Sequence, residues 1–158
     1  MNRLVEKALY VVLAITIISC ASVAPMLPSA GELQWTSYSN DRMGITLSVP
    51  TDFLVQEYEG DIFFRYQDRV ALRITLTTIE DARARGLWPI SSPVADLTVA
   101  GHSAQEYIYD HYDGPVFDHF VAYVFNYQGQ SLAVAFHTEQ NELNSAQEQI
   151  LNSLILKG

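Results

Sequence analysis

Apolar and polar residues follow three patterns along these 158 residues. Residues 8–19 form an uncharged, largely apolar run behind the short charged start Asn2-Arg3-Leu4-Val5-Glu6-Lys7. From residue 35 to residue 138 the dominant pattern is alternation with a period of two, as in strands with one face against a core. From residue 141 to residue 154 the spacing lengthens to three and four, as in an amphipathic helix. Residues 21–32 have small side chains and two prolines without any period, and read as a flexible tether.

Within the alternating region, residues 35–40 and 45–49 predict the first two strands. In the second, Ile45, Leu47 and Val49 alternate with Thr46 and Ser48 until Pro50. Residues 52–58 read as a crossing loop. Glu59-Gly60-Asp61 turns into a strand at 62–66, and Gln67-Asp68-Arg69 into a longer one. There Val70, Leu72, Ile74 and Leu76 face one way and Arg73, Thr75 and Thr77 the other. Residues 80–87 break the alternation and predict a short helix, with Glu80 and Asp81 at its start and Gly86 and Pro89 closing it.

A short strand at 94–99 ends at Gly101, and long strands follow at 103–112, 116–127 and 131–138. Asp113-Gly114-Pro115 and Gln128-Gly129 join these three into a meander of hairpins. In the middle strand Phe117, His119, Val121, Tyr123, Phe125 and Tyr127 alternate with Phe120, Ala122 and Val124. Both faces are apolar, so this strand is expected to be central and covered on both sides. The helix at 141–154 supplies a cover through Leu143, Ala146, Ile150, Leu151 and Leu154, with Asn141 as its N-cap. The expected class is α+β. It comprises a largely antiparallel sheet of about seven strands, a short internal helix, and a C-terminal helix packed on the sheet.

The apolar run at 8–19 is short for a bilayer span, which needs about twenty residues, and has the length of a signal-peptide core. Cleavage after Ala24 would leave Pro25 beyond the bond, and cleavage after Ala30 would place Pro28 where a small residue is wanted. Ile17-Ile18-Ser19-Cys20 instead resembles the lipobox of bacterial lipoproteins. That resemblance implies that Cys20 is lipidated and becomes the first residue of the mature chain. The alternative is an uncleaved N-terminal signal anchor. Both readings place the remainder outside the cytoplasm on a bacterial membrane. The expected organisation is therefore a signal peptide at 1–19, a tether at 20–32 reaching roughly 40 Å when extended, and one domain at 33–158.

Charge narrows the partners. The whole chain has 9 basic and 18 acidic residues, a net of −9. With Arg3, Lys7 and Glu6 in the leader, the rest carries 7 against 17, a net of −10. Such a balance excludes nucleic acid and direct docking on anionic head groups, both of which need basic patches. Cys20 is the only cysteine, so no internal disulfide forms and stability rests on the core.

Trp35-x-x-Tyr38-Ser39-Asn40 followed by Met43-Gly44-Ile45-x-Leu47-x-Val49-Pro50 resembles the opening of PsbP-like domains. The late strand pair and the closing Gln149-Ile150-Leu151-Asn152-Ser153-Leu154 are similar too. The resemblance covers most of residues 35–157 in order of elements and implies a PsbP-like α/β/α sandwich. It also implies a chiefly non-enzymatic role as an accessory or protein-binding module, and it transfers no catalytic residue.

The densest polar group is the segment at 110–119, where Asp110, His111, Asp113, Asp118 and His119 flank one turn. Paired strands there bring His111 towards His119, and imidazole with carboxylate suits zinc or manganese. Divalent-metal binding is thus an alternative function, and no other cofactor is implied. Tyr107, Tyr109, Tyr123 and Tyr127, with Phe117 and Phe125, suggest an aromatic sheet face for a protein or apolar ligand. Arg65, Arg69 and Arg73 form a local basic cluster, with Arg65 and Arg73 as cross-strand neighbours.

No Gly-x-Ser-x-Gly elbow, phosphate-binding loop, GxGxxG or His-Glu-x-x-His occurs, and His102 and His137 read as turn and strand histidines. A hydrolase on an unrecognised template is the weakest alternative. The leading expectation is a membrane-tethered, non-catalytic domain that binds another envelope protein.

Overall fold

The computed structural model describes residues 27–58, 60–78, 80–81, 92–113, 116–139 and 141–157, with backbone alone for 111–113 and 116–117. The leader and Cys20, most of the internal helix expected at 80–87, and Gly114-Pro115 lie outside the described residues. Within them the strands are β1 (Trp35–Asn40), β2 (Ile45–Pro50), β3 (Leu54–Tyr58), β4 (Asp61–Tyr66) and β5 (Arg69–Thr77). After these come β6 (Ala95–Val99), β7 (His102–Asp113), β8 (Val116–Tyr127), β9 (Gln130–Thr138) and β10 (Ile155–Leu156). One helix, α1 (Ser145–Asn152), precedes β10.

Seven strands form an antiparallel sheet in the order β3-β4-β5-β9-β8-β7-β6, as the class expected from the sequence requires. The turns explain most of that order. Gln67 and Asp68 (φ 46° and 65°), Ala100 and Gly101 (50° and 83°), and Gln128 and Gly129 (51° and 74°) are two-residue links with both φ positive. Such links match the right-handed twist of the strands they join. Glu80 and Asp81 are helical, and Thr78 Oγ1 accepts from the Asp81 N–H at 3.2 Å, an N-cap for the start of the expected internal helix.

Three expectations are corrected. The crossing loop at 52–58 contains β3, an edge strand paired with β4 from Leu54↔Arg65 to Tyr58↔Asp61. Its side chains are mostly exposed, so it lacks the hydrophobic alternation that marks a half-buried strand. β1 and β2 do not join the large sheet; with β10 they make a second sheet in the order β1-β2-β10. The C-terminal helix starts at Ser145 with Asn144 as N-cap, not at Asn141. Asn144 Oδ1 accepts from the N–H groups of Ala146 and Gln147, each at 3.0 Å, and Gln147 Oε1 accepts from Asn144 N–H at 3.0 Å. This reciprocal capping box excludes 141–143 from the helix.

One face of the large sheet, here the inner face, carries the core. Ile62, Phe64, Leu72, Ile74, Val121, Phe125, Leu132 and Phe136 are at most 1 % exposed. Against them pack Ile45, Leu47 and Val49 of the small sheet and Ala146, Ile150, Leu151 and Leu154 from the helix and its end. Each fully buried aliphatic or aromatic side chain contributes about 1.5–3 kcal/mol by transfer from water. On the outer face Tyr107, Ala122, Val124, Ala133 and Ala135 form a smaller buried cluster with Tyr109 against it. β8 is central and apolar on both faces, as its sequence predicts.

The docked part of the chain begins earlier than residue 33. Leu27 is buried, its carbonyl accepts from Asn144 Nδ2 at 3.2 Å, and Ala30 N–H donates to Ser145 Oγ at 3.2 Å. Residues 30–32 make a short 3-10 turn, and Trp35 Nε1 donates to the Ala30 carbonyl. The latter half of the tether expected at 20–32 is thus held on the helix N-terminus, because Leu27 finds an apolar seat there.

Candidate functional site

The register of β7, β8 and β9 decides what the histidines meet. His119 stands opposite Asp110, and His111 stands opposite Asp118. The two histidines of the hairpin therefore occupy different rungs. His119 Nδ1 lies 2.6 Å from Asp110 Oδ1. Asp118 is engaged by β9, where His137 Nε2 lies 2.9 Å from its Oδ1. Two imidazole–carboxylate pairs thus occupy one end of the sheet, and the second uses a histidine the sequence reading set aside. The eighteen intervening residues hid that pairing; only the β8–β9 register brings it about.

Asp113 is registered opposite Val116 at the tip, and its side chain and that of His111 lie outside the described atoms. Among the described residues no three His, Cys, Asp or Glu side chains form a group that could hold a metal ion.

The four candidate tyrosines divide between the two faces. Tyr123 and Tyr127 point into the main core, while Tyr107 belongs to the outer cluster with Tyr109 beside it. Tyr109 stacks on Phe120 at 5.3 Å between centroids with 14° between planes, and Phe120 lies 5.5 Å from the His137 ring. Burial pushes the Tyr109 phenol up, and the nearby Arg73 charge pulls it part of the way back. Burial and the hydrogen bond to Glu106 (2.8 Å) both raise Tyr123.

Arg73 is not beside Arg65. It stands opposite Phe63, with its guanidinium carbon 5.0 Å from that ring's centroid. Its Nη2 and Nε donate to Asp61 Oδ1 at 3.0 and 3.2 Å, and Thr75 Oγ1 donates to the same oxygen. The Asp61 carboxylate is thereby compensated where it is buried. Arg65 donates to Gln56 Oε1 and the Asp68 carbonyl, each at 3.0 Å. The basic cluster is dispersed into local partnerships.

Two further features went unread in the sequence. β3 is the outer strand of the large sheet, and its Leu54 and Tyr58 are 60 % and 70 % exposed. At the opposite end of the sheet from the His–Asp pairs lies a groove of about 650 Å³ between the β6–β7 and β8–β9 turns. Glu80, Asp96, His102, Gln105, Asn126 and Ser131 are among its lining residues. Among the described residues no helix is long and apolar enough to cross a membrane.

No family model matches the sequence, and no curated protein matches it. Solved structures do. The solution structure of cyanobacterial PsbP (CyanoP) from Synechocystis sp. PCC 6803 superposes with a TM-score of 0.52 at 13 % identity, covering 84 % of this chain and 98 % of that one. A crystal structure from Bacteroides thetaiotaomicron VPI-5482 gives a TM-score of 0.53 at 12 % identity over 73 % of this chain. The match spans 46 % of that second protein, under half its length. The fold of this chain is PsbP-like.

Proposed function

We propose that this chain is an extracytoplasmic lipoprotein, tethered to a bacterial membrane through Cys20, whose folded domain is a non-catalytic binding module for another envelope protein. The carrying observation is β3. An edge strand offers a row of backbone donors and acceptors, and natural proteins blunt such edges unless something binds there. Here Leu54 and Tyr58 stand exposed on that edge, two large apolar side chains set four residues apart. The net charge of −9 favours a basic partner surface over nucleic acid or anionic lipid. The PsbP-like fold supports an accessory role.

Site-specific photo-crosslinking in producing cells tests this reading. A photoreactive residue at position 54 or 58 should yield one discrete adduct, and one at the exposed position 142 none. Leu54→Asp with Tyr58→Asp should remove the adduct captured from a third β3 position, 56, with the melting temperature unchanged. Absence of adducts, or equal adducts at all positions, rejects the proposal.

A second reading, divalent-metal binding at the 110–119 hairpin, rests on the His119–Asp110 pair, an imidazole and a carboxylate of the kinds that ligate zinc or manganese. Titration of the full chain in detergent with zinc or manganese should release heat at micromolar metal, and His119→Ala should abolish it. No heat ends that reading.

A further inference from the structure

The polar groove at the turn end of the outer face has a consistent chemistry. Its floor comes from two rungs of the large sheet, one running through Ser131 and Asn126, the next through Val124 and Gln105. Glu80 enters from the chain after β5, and Asp96 from β6 beyond Gln105. Gln105 Nε2 donates to Asp96 Oδ1 at 3.0 Å and so holds that carboxylate in place. Glu80 and Asp96 are the acidic side chains of the described lining, and no lysine or arginine is among them.

A second observation is independent of the acids. Ser131 is only 8 % exposed, yet its hydroxyl has no hydrogen-bond partner among the described residues. Among the described residues no side-chain nitrogen or oxygen is both fully enclosed and unpartnered, so this oxygen opens to the groove. Open to the groove and not engaged by a described side chain, this hydroxyl is available to a group seated there. The volume of about 650 Å³ falls within the range of small-ligand sites.

We infer that this groove is a binding site for an amine-bearing cationic group, an ammonium or guanidinium. The carboxylates of Glu80 and Asp96 supply the counter-charge, and the Ser131 hydroxyl supplies an acceptor on the floor. The group comes either from a free polyamine or from a lysine or arginine side chain of a peptide. The site is on the outer face near β6 and does not depend on the β3 edge or on a lipid anchor.

Calorimetry on the full chain in detergent, with spermidine and with a blocked lysine tripeptide as separate probes, tests it. At least one probe should bind saturably; spermidine alone indicates a free polyamine, and the tripeptide indicates a peptide side chain. Asp96→Asn and Glu80→Gln should each weaken binding about tenfold or more, the size expected on losing a charge-assisted hydrogen bond. Glu142→Gln, which removes one exposed charge elsewhere, should leave it unchanged. Ser131→Val should weaken it without altering charge. The inference is overturned if neither probe binds at millimolar concentration, if sorbitol binds as well as spermidine, or if Glu142→Gln has the same effect as Asp96→Asn.

Discussion

Gly44 shows how one residue can tie distant parts of this chain together. It sits at φ +64°, and its carbonyl accepts from Lys157 N–H at 2.7 Å, fastening the C-terminal strand to the β1–β2 turn. The Tyr127 hydroxyl reaches the carbonyls of Gly44 (3.1 Å) and Lys157 (2.5 Å) from the end of β8. A Cβ at position 44 would run into that hydroxyl. Gly44→Ala should therefore cost about 2–4 kcal/mol, part from the left-handed backbone and part from the clash. Urea denaturation measures it, and Tyr127→Phe in the same background should recover some of the loss. The sequence placed Gly44 in a recognisable motif, but only the tertiary structure supplies the tyrosine above it.

Tyrosines set the alkaline limit. Burial first, then the hydrogen bond to Glu57, pushes Tyr38 up to about 12, and Tyr109 and Tyr123 are raised in the same direction. A neutral phenol is thus favoured by folding. That stability is complete below the unfolded value near 10 and declines as pH rises through the folded value. Denaturation midpoints should fall between pH 10 and about 12, less steeply in Tyr38→Phe. Absorbance of tyrosinate in the folded protein should lag behind that of the unfolded chain; coincident titrations would contradict this.

Among the elements, those with an alternating or 3–4 pattern were legible, and those without one were not. β7, β8 and β9 stand within one residue of the ranges their patterning predicts, because one face of each is closed by the core. β3 has no such face, and the two-residue β10 is too short to carry a period; it is held by pairing with Thr46 and Ile45 of β2. The helix start was misplaced: its expected cap was Asn141, whereas Asn144 is the cap and has a glutamine three residues on. Asn144→Ala should cost about 1–2 kcal/mol, since it removes the cap and the tie to the Leu27 carbonyl, whereas Asn141→Ala should stay within about 0.5 kcal/mol. Thermal melting of the two variants checks the difference.

At the scale of the whole molecule, docking of Leu27 brings the folded domain to within seven residues of Cys20. Residues 20–26 span roughly 25 Å at most, so a domain anchored at Cys20 would stay near the head groups rather than standing well clear of them. If Cys20 is the lipidated residue, Cys20→Ser should abolish incorporation of a labelled fatty acid and leave the precursor uncleaved; retained label would refute the assignment. Two acyl chains suffice for stable attachment, where one gives only reversible binding.

What the sequence determined by itself is what local periodicity and turn chemistry encode: the α+β class, the long hairpins with β8 at their centre, and the helix that covers them. These follow because each strand's alternation is set by the core it faces and each tight link by residues that accept positive φ. The tertiary structure alone decided the separation of β1 and β2 into their own sheet, the His137–Asp118 pair, the division of the tyrosines between two faces, and the groove around Ser131. Each depends on which strands become neighbours and in what register, and a one-residue change of register would send every one of those side chains to the other face.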